Sequence, residues 1–159
     1  MPDTPTPDAP AFEPADPSYR TRVRDSFARQ RFMALMGASM VRVEPGVVVI
    51  DLPFDAALTQ QHGFVHGGAV SAVLDTPRGY AASSLMPADA GVLTVEFKVN
   101  YLAAAVGERF RFTGRVRRAG RTVTFVEADA VAVADGRART VATMQATMMT
   151  IRGRDDVRH

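Results

Sequence analysis

Cysteine is absent from the 159 residues, which excludes disulfides, zinc–thiolate sites and a thiol nucleophile. Histidine is scarce: of the three, His159 is the terminal residue, and a histidine-rich metal site is not expected. Charge imbalance is small, with 19 basic against 17 acidic side chains and a formal charge of +2, so the chain as a whole is not strongly basic. No apolar run approaches membrane-spanning length. The opening residues, Met1-Pro2-Asp3-Thr4-Pro5-Thr6-Pro7-Asp8, lack the basic start and apolar stretch of a signal peptide. A cytoplasmic protein without a membrane partner is the expectation.

What is present is an ordinary globular composition, 47% hydrophobic and 23% charged, long enough for one domain with a real core. Its most informative stretch begins at His66-Gly67-Gly68 and runs through an apolar segment to Leu74-Asp75. Between Gly67 and Met86 the only charged residues are Asp75 and Arg78. Helical spacing puts Gly68, Ser71, Ala72, Asp75, Gly79 and Ala82 on one side and Val70, Val73, Leu74, Ala81 and Leu85 on the other. So little charge argues for an enclosed helix. An acid there is costly unless paired or used. Asp75 has two readings: a functional carboxylate, or the cap of a helix restarting at Pro77, where Asp-Thr-Pro is a good start signal.

The remainder orders around this helix. Residues 1–17, rich in Pro, Asp and Ala, read as a disordered tail. Residues 18–36 read as a helix carrying Phe27, Phe32, Leu35 and Met36, ended by Gly37. Pro45-Gly46 marks a hairpin between strands at 38–44 and 47–53, and 55–65 is a loop. From Leu93 to Tyr101, apolar Leu93, Val95, Phe97, Val99 and Tyr101 alternate strictly with polar residues, which places Thr94 on the polar side. Phe110, Phe112 and Val116 alternate with an arginine stripe at 109, 111, 115 and 117. Turns at Ala119-Gly120 and Asp135-Gly136 lead into strands at 122–134 and 138–151. Residues 152–159 are a charged tail. Strands joined by hairpin signals favour an α+β fold: an antiparallel sheet curved around the one enclosed helix. The arginine stripe is most simply a solvated strand face; no aromatic residue stacks beside it, and no nucleic-acid partner is expected.

His66-Gly67-Gly68, Leu74-Asp75 and Gly79-Tyr80-Ala81-Ala82 together resemble the central-helix motif of hotdog-fold acyl-CoA thioesterases, in the phenylacetate-pathway (PaaI-type) branch. The resemblance covers residues 30–151, within a domain bounded at 18–151. It implies a curved antiparallel sheet around one long helix, an obligate homodimer or dimer of dimers, and hydrolysis of an acyl-CoA with no metal or organic cofactor, coenzyme A being part of the substrate. By position, Asp75 matches the acid that activates water or attacks the thioester, and Gly67 the residue whose backbone N–H polarises the carbonyl. His66 matches a histidine that positions the thioester or its sulfur. Gln60 falls where an asparagine is common, and Thr94 where a hydroxyl holds the water. Arg118, Gly120 and Arg121 fall in the turn that contacts the phosphates of coenzyme A, and Tyr101 opens the pantetheine path. Thr76-Pro77-Arg78 departs from the pattern, since small residues are usual after the acid. A non-catalytic acyl-CoA-binding protein on the same scaffold is the alternative.

The chemistry sets one geometric condition. A helix-start N–H stabilises a developing oxyanion, and a carboxylate acts as base or nucleophile. Eight residues apart in one helix, Gly67 and Asp75 lie about 12 Å from each other at ~1.5 Å per residue. One thioester carbonyl cannot touch both, so joint action requires two antiparallel copies of the helix across a two-fold axis.

Overall fold

The period-two segments of the second half of the chain pair, together with the early hairpin, into one six-stranded antiparallel sheet. In the computed structural model, which describes residues 11–157, the strands are β1 (Ser39–Glu44), β2 (Val47–Pro53), β3 (Gly91–Tyr101), β4 (Arg109–Ala119), β5 (Val123–Ala134) and β6 (Arg137–Ile151). Their order across the sheet is β1-β2-β4-β5-β6-β3. Three helices accompany them: α1 (Tyr19–Ala28), α2 (Arg31–Leu35) and α3 (Gly67–Ser83). The architecture is α+β, and α3 packs against every strand from β2 to β6.

The inward face of the sheet explains that packing. Val48, Ile50 and Leu52 of β2, Phe110 and Phe112 of β4, and Ala128, Ala130 and Ala132 of β5 are buried against the helix. From α3 come Val70, Val73 and Leu74, each contributing roughly 1.5–3 kcal/mol by leaving water. The helix backbone comes close at Gly114 of β4. A Cβ at that position would run into the Pro77 carbonyl and the Arg78 nitrogen, so the strand has glycine where the helix backbone presses on it. The helix continues through Pro77, and Thr76 Oγ1 donates to the Ala72 carbonyl. Asp75 therefore lies mid-helix and caps nothing.

Several expectations are corrected. The helix of residues 18–36 is two helices, broken where Gln30 adopts an extended conformation (φ −76°, ψ 94°). The break rotates α2 so that Met33 and Met36 are buried while Phe32 and Leu35 face outward. Residues 11–17 are no loose tail. Asp16 is buried and paired with Arg22 at 2.9 Å, and Ala15 N–H donates to the Leu85 carbonyl at 3.3 Å. Arg22 also donates to Ser83 Oγ and to the Ser83 and Met86 carbonyls, closing the C-terminal end of α3. Residues 1–10 of the expected tail lie outside the described residues. At the other end residues 152–156 are exposed and Val157 lies over Gly91; residues 158 and 159 are outside the description. Three arginines of the β4 stripe form a cross-strand ion-pair ladder on the outer face: Arg111 binds Asp51 twice at 2.7 Å, Arg117 pairs with Glu127 at 2.6 Å, and Arg115 pairs with Asp129.

β3 carries the largest departure from simple alternation. Its register against β6 slips between Thr94 and Glu96, a bulge at Val95. Such a bulge switches the faces of the residues on either side. Thr94, expected on the polar side, thereby joins Phe97 and Tyr101 on the face turned to α3. β3 is also an edge strand, paired on one side by β6 alone. Leu93, Val95, Phe97 and Tyr101 are all roughly half exposed along it.

Candidate active site

The start of α3 is held by its loop. Thr59 bridges Val65, His66 N–H donates to the Leu58 carbonyl at 2.8 Å, and Val65 N–H to the Ala105 carbonyl at 3.1 Å. His66 is the helix N-cap: its Nδ1 accepts from Gly68 N–H at 2.8 Å. In the neutral ring that fixes the proton on Nε2, leaving Nε2–H as the free donor. The Gly67 N–H has no partner among the described residues, as the first donors of a helix lack intrahelical acceptors. Tyr101 covers this turn. Its hydroxyl donates to the Gly67 carbonyl at 2.8 Å and accepts from Ser71. A cavity of about 190 Å³ opens here, lined by Gln60, Phe64, Gly67 and Tyr101 among others. Gln60 lies close to Gly67 as expected, but its side-chain oxygen is occupied by the His62 N–H of its own loop. Only the amide nitrogen is left to donate outward.

Two turns further along, Asp75 borders a second cavity of about 270 Å³ with Phe32, Thr94, Gly79, Tyr80 and Met148. Its side chain is 44% exposed. Asp75 Oδ1 accepts from Thr94 Oγ1 at 3.2 Å and from Arg78 Nη2. Arg78 itself is fully buried. Its Nη1 meets the Met148 sulfur at 3.2 Å, its Cζ lies 5.2 Å from the centre of the Phe97 ring, and its Nε has no partner. Burial pushes the guanidinium down to about 10 while the charge of Glu96 opposes the shift, so Arg78 is a cation at neutral pH. At the inner end of the cavity the Tyr80 hydroxyl bonds Ser26 and the Gln30 amide, both at 3.1 Å. Burial raises the Tyr80 hydroxyl above its usual range, and it stays protonated.

Of the expected site residues, Gly67, Gln60 and Tyr101 gather in one cavity and Asp75 and Thr94 in another. His66 lines a third concave region, of about 380 Å³, with Phe32, Leu35 and Met36. The stripe joining them, Gly68, Ser71, Ala72, Asp75 and Gly79, is the face picked out by helical spacing; it is partly open, and only Ala82 of that set is buried. Arg118, Gly120 and Arg121 are exposed at the β4–β5 turn. Pairing aligns Thr94, Met148, Thr124 and Ala119 in one row across four strands, which puts that turn about 14 Å from Thr94 at ~4.8 Å per strand. Among the described residues no cluster of three or more acidic or histidine side chains is placed to hold a metal, and no helix is long and apolar enough to cross a membrane. Sequence reasoning missed Ser71, the Ser26–Gln30–Tyr80 group and the pairing of Arg78 with Asp75. Only the last had a signal: a lone cation three residues after a lone acid in an uncharged helix.

Comparisons with known proteins place the fold in a family. A family model of the thioesterase superfamily matches residues 62–138, which contain the helix start, Asp75 and Thr94. A solved thioesterase family protein from Silicibacter pomeroyi is 56% identical, with a TM-score of 0.84 over 85% of this chain and 99% of that one. The chain belongs to the thioesterase superfamily. A conserved Pseudomonas aeruginosa protein, 33% identical, superposes on it with a TM-score of 0.70 over 77% of this chain and 94% of its own. The Escherichia coli PaaI protein of the phenylacetic acid degradation operon, 18% identical, shares the fold with a TM-score of 0.76 over 86% of this chain and 95% of its own. This thioesterase-superfamily chain thus has the hotdog fold. Curated archaeal relatives carry provisional esterase names. One from Saccharolobus solfataricus is 32% identical over 58% of this chain, a match that spans 65% of that protein's length. One from Halobacterium salinarum is 32% identical over 65% of this chain and 71% of its own length.

Proposed function

We propose that the protein is a PaaI-type acyl-CoA thioesterase, acting as a homodimer whose two sites each take Gly67 from one subunit and Asp75 from the other. The observation that carries this reading is the split of the site. An open helix-start N–H and a half-exposed carboxylate lie on one open stripe of α3, yet border separate cavities. Two such helices laid antiparallel bring the donor of one beside the acid of the other. The bare apolar edge of β3 flanks that stripe and is the surface a second copy would cover.

In this arrangement the thioester oxygen accepts from the Gly67 N–H, which helps carry the charge that develops as the carbonyl carbon becomes tetrahedral. Asp75 then acts in one of two ways. As base it takes a proton from water held by Thr94, and the hydroxide adds to the carbon. As nucleophile it forms a mixed anhydride that water later opens. Either way the C–S bond breaks and coenzyme A leaves as thiolate. His66 Nε2–H and the Gln60 amide are donors on the Gly67 side. Arg118, Arg121 and the Gly120 backbone meet the phosphates, and Tyr101 borders the pantetheine. The protein needs no metal or organic cofactor for these steps.

Steady-state hydrolysis of an acyl-CoA panel, followed by thiol release, tests the reading. Asp75→Asn is expected to lose about 10²- to 10⁴-fold in kcat, the range for a general acid–base group. Hydrolysis at the wild-type rate by Asp75→Asn removes the catalytic assignment, and tight acyl-CoA binding without turnover by the wild type replaces it with a binding protein. Multiple turnovers in ¹⁸O-water separate the two mechanisms, because only the nucleophilic route puts label into the aspartate.

A further inference from the structure

We propose that Arg78 is the positioning residue of this site: a buried guanidinium that clamps Oδ1 of Asp75 and leaves Oδ2 as the oxygen that meets water or the thioester carbon. The assignment rests on the thioesterase reading for its functional half and on geometry for the rest.

Among the described residues, Arg78 is the only charged side chain that is fully buried. Its stem fills space between α3, β3 and β6 that a methionine of similar volume would fill without bringing a charge out of water. The head is poorly served by its surroundings. One nitrogen faces a thioether sulfur, a weak acceptor, one has no partner, and the ring of Phe97 flanks the planar group. Among the described residues, the carboxylate it contacts is that of Asp75. Glu96 adds charge from β3, but its carboxylate accepts from Thr147 on the outer face. Tyr80 is the other titratable group of the cavity, and it is held neutral. Two acids thus act on this buried cation: Glu96 through its charge alone, and Asp75 through direct contact.

Both polar contacts of Asp75 converge on the same oxygen. Thr94 and Arg78 each donate to Oδ1, and Oδ2 accepts from nothing among the described residues. A carboxylate fixed by one oxygen has its rotamer set and its second oxygen free. The cation also favours the ionised form, whether that form serves as base or as nucleophile. Pro77 has a place in this account. It lacks an N–H, so one helical bond is missing in the turn that joins Asp75 to Arg78.

The test uses the full-length protein and two readouts. Titration of ¹³C-aspartate, with the Asp75 signal assigned by its loss in Asp75→Asn, is compared between wild type and Arg78→Met. The Asp75 midpoint is expected to rise by about one pH unit or more when the cation is removed. The acid limb of the kcat/KM profile should rise with it, and kcat should fall roughly 10- to 100-fold with little change in KM, since Arg78 does not touch substrate. Arg78→Lys, which keeps charge but loses the fork, should fall between the two. An unmoved midpoint in folded Arg78→Met overturns the clamp. A moved midpoint in a protein whose wild type hydrolyses no thioester upholds the clamp and overturns the enzyme. Should Arg78→Met fail to fold, Asp75→Asn serves instead: the Arg78 guanidinium ¹⁵N resonances must shift in it, and unshifted resonances overturn the proposal.

Discussion

Gly114→Ala adds one methyl group to the strand that α3 presses on, and its effect follows from what the methyl would meet. The new Cβ collides with the Pro77 carbonyl and the Arg78 nitrogen, which are backbone atoms and cannot rotate away as a side chain end could. Nor is the helix free to lift, because Val73, Leu74, Tyr80 and Ala81 are buried on either side of the contact. The strand is pinned as well, with Gly114 paired to Val48 on one side and Ala128 on the other. Overpacking a core costs about 1–3 kcal/mol, and backbone meeting backbone belongs at the top of that range. At about 2–4 °C per kcal/mol for a chain of this size, Tm should fall by roughly 6–12 °C. Circular dichroism melts of wild type and variant at equal concentration measure it. Because Asp75 and Arg78 sit on the displaced turn, hydrolysis should fall more steeply than stability at a temperature where both proteins are folded. A drop in Tm under about 2 °C, against the loss expected from overpacking, refutes the claim that this contact sets the helix height. Gly79→Ala is the control. Its Cβ would lie 3.6 Å from the Met148 methyl, an ordinary contact. Tm should hold or rise, since alanine is favoured over glycine in a helix by up to about 1 kcal/mol.

Other outcomes follow from contacts elsewhere. Val95→Glu puts a charge on the exposed β3 edge; sedimentation should find a folded monomer without hydrolytic activity, and a fully active dimer would move the interface to another surface. Tyr101→Phe removes the hydroxyl linking Ser71 to the Gly67 carbonyl, a net loss of about 0.5–1.5 kcal/mol readable in denaturant melts. Ser18 and Arg22 hold the Asp16 carboxyl below its ordinary 3.8, so the stability it adds is present above that value and is lost as pH falls through the lowered one. Hydrogen exchange at the Ala15 amide should therefore accelerate in acid before the amides of β5 do, and simultaneous acceleration would show that residues 11–17 do not open on their own.

Periodicity made the sheet readable because its inner face is apolar and its outer face carries the arginine ladder. It also found the open stripe of α3, where small residues recur beside one acid. What it could not reveal were changes of phase. The bulge at Val95 puts Thr94 on the same face as Phe97 without altering the written alternation, and the bend at Gln30 turns Phe32 and Leu35 outward by interrupting one helix. Long-range polar partners were equally silent. Asp16 looked like part of a solvated tail because Arg22, Ser83 and Met86 meet only in three dimensions. Arg78 read as a departure from a motif until its partner was seen to be the acid that the motif supplies.

The position of β3 has a consequence for the order in which the chain folds. Although β3 precedes β4, its only partner in the sheet is the last strand, with Gly91 opposite Ile151 and Tyr101 opposite Ala142. During synthesis the strand emerges with Leu93, Val95 and Phe97 already in place, and must wait for β4 and β5 to be laid down before β6 exists to receive it. Contacts so distant along the chain form late. For that interval residues 91–101 have both strand edges bare, open to chaperones and to mispairing between nascent chains.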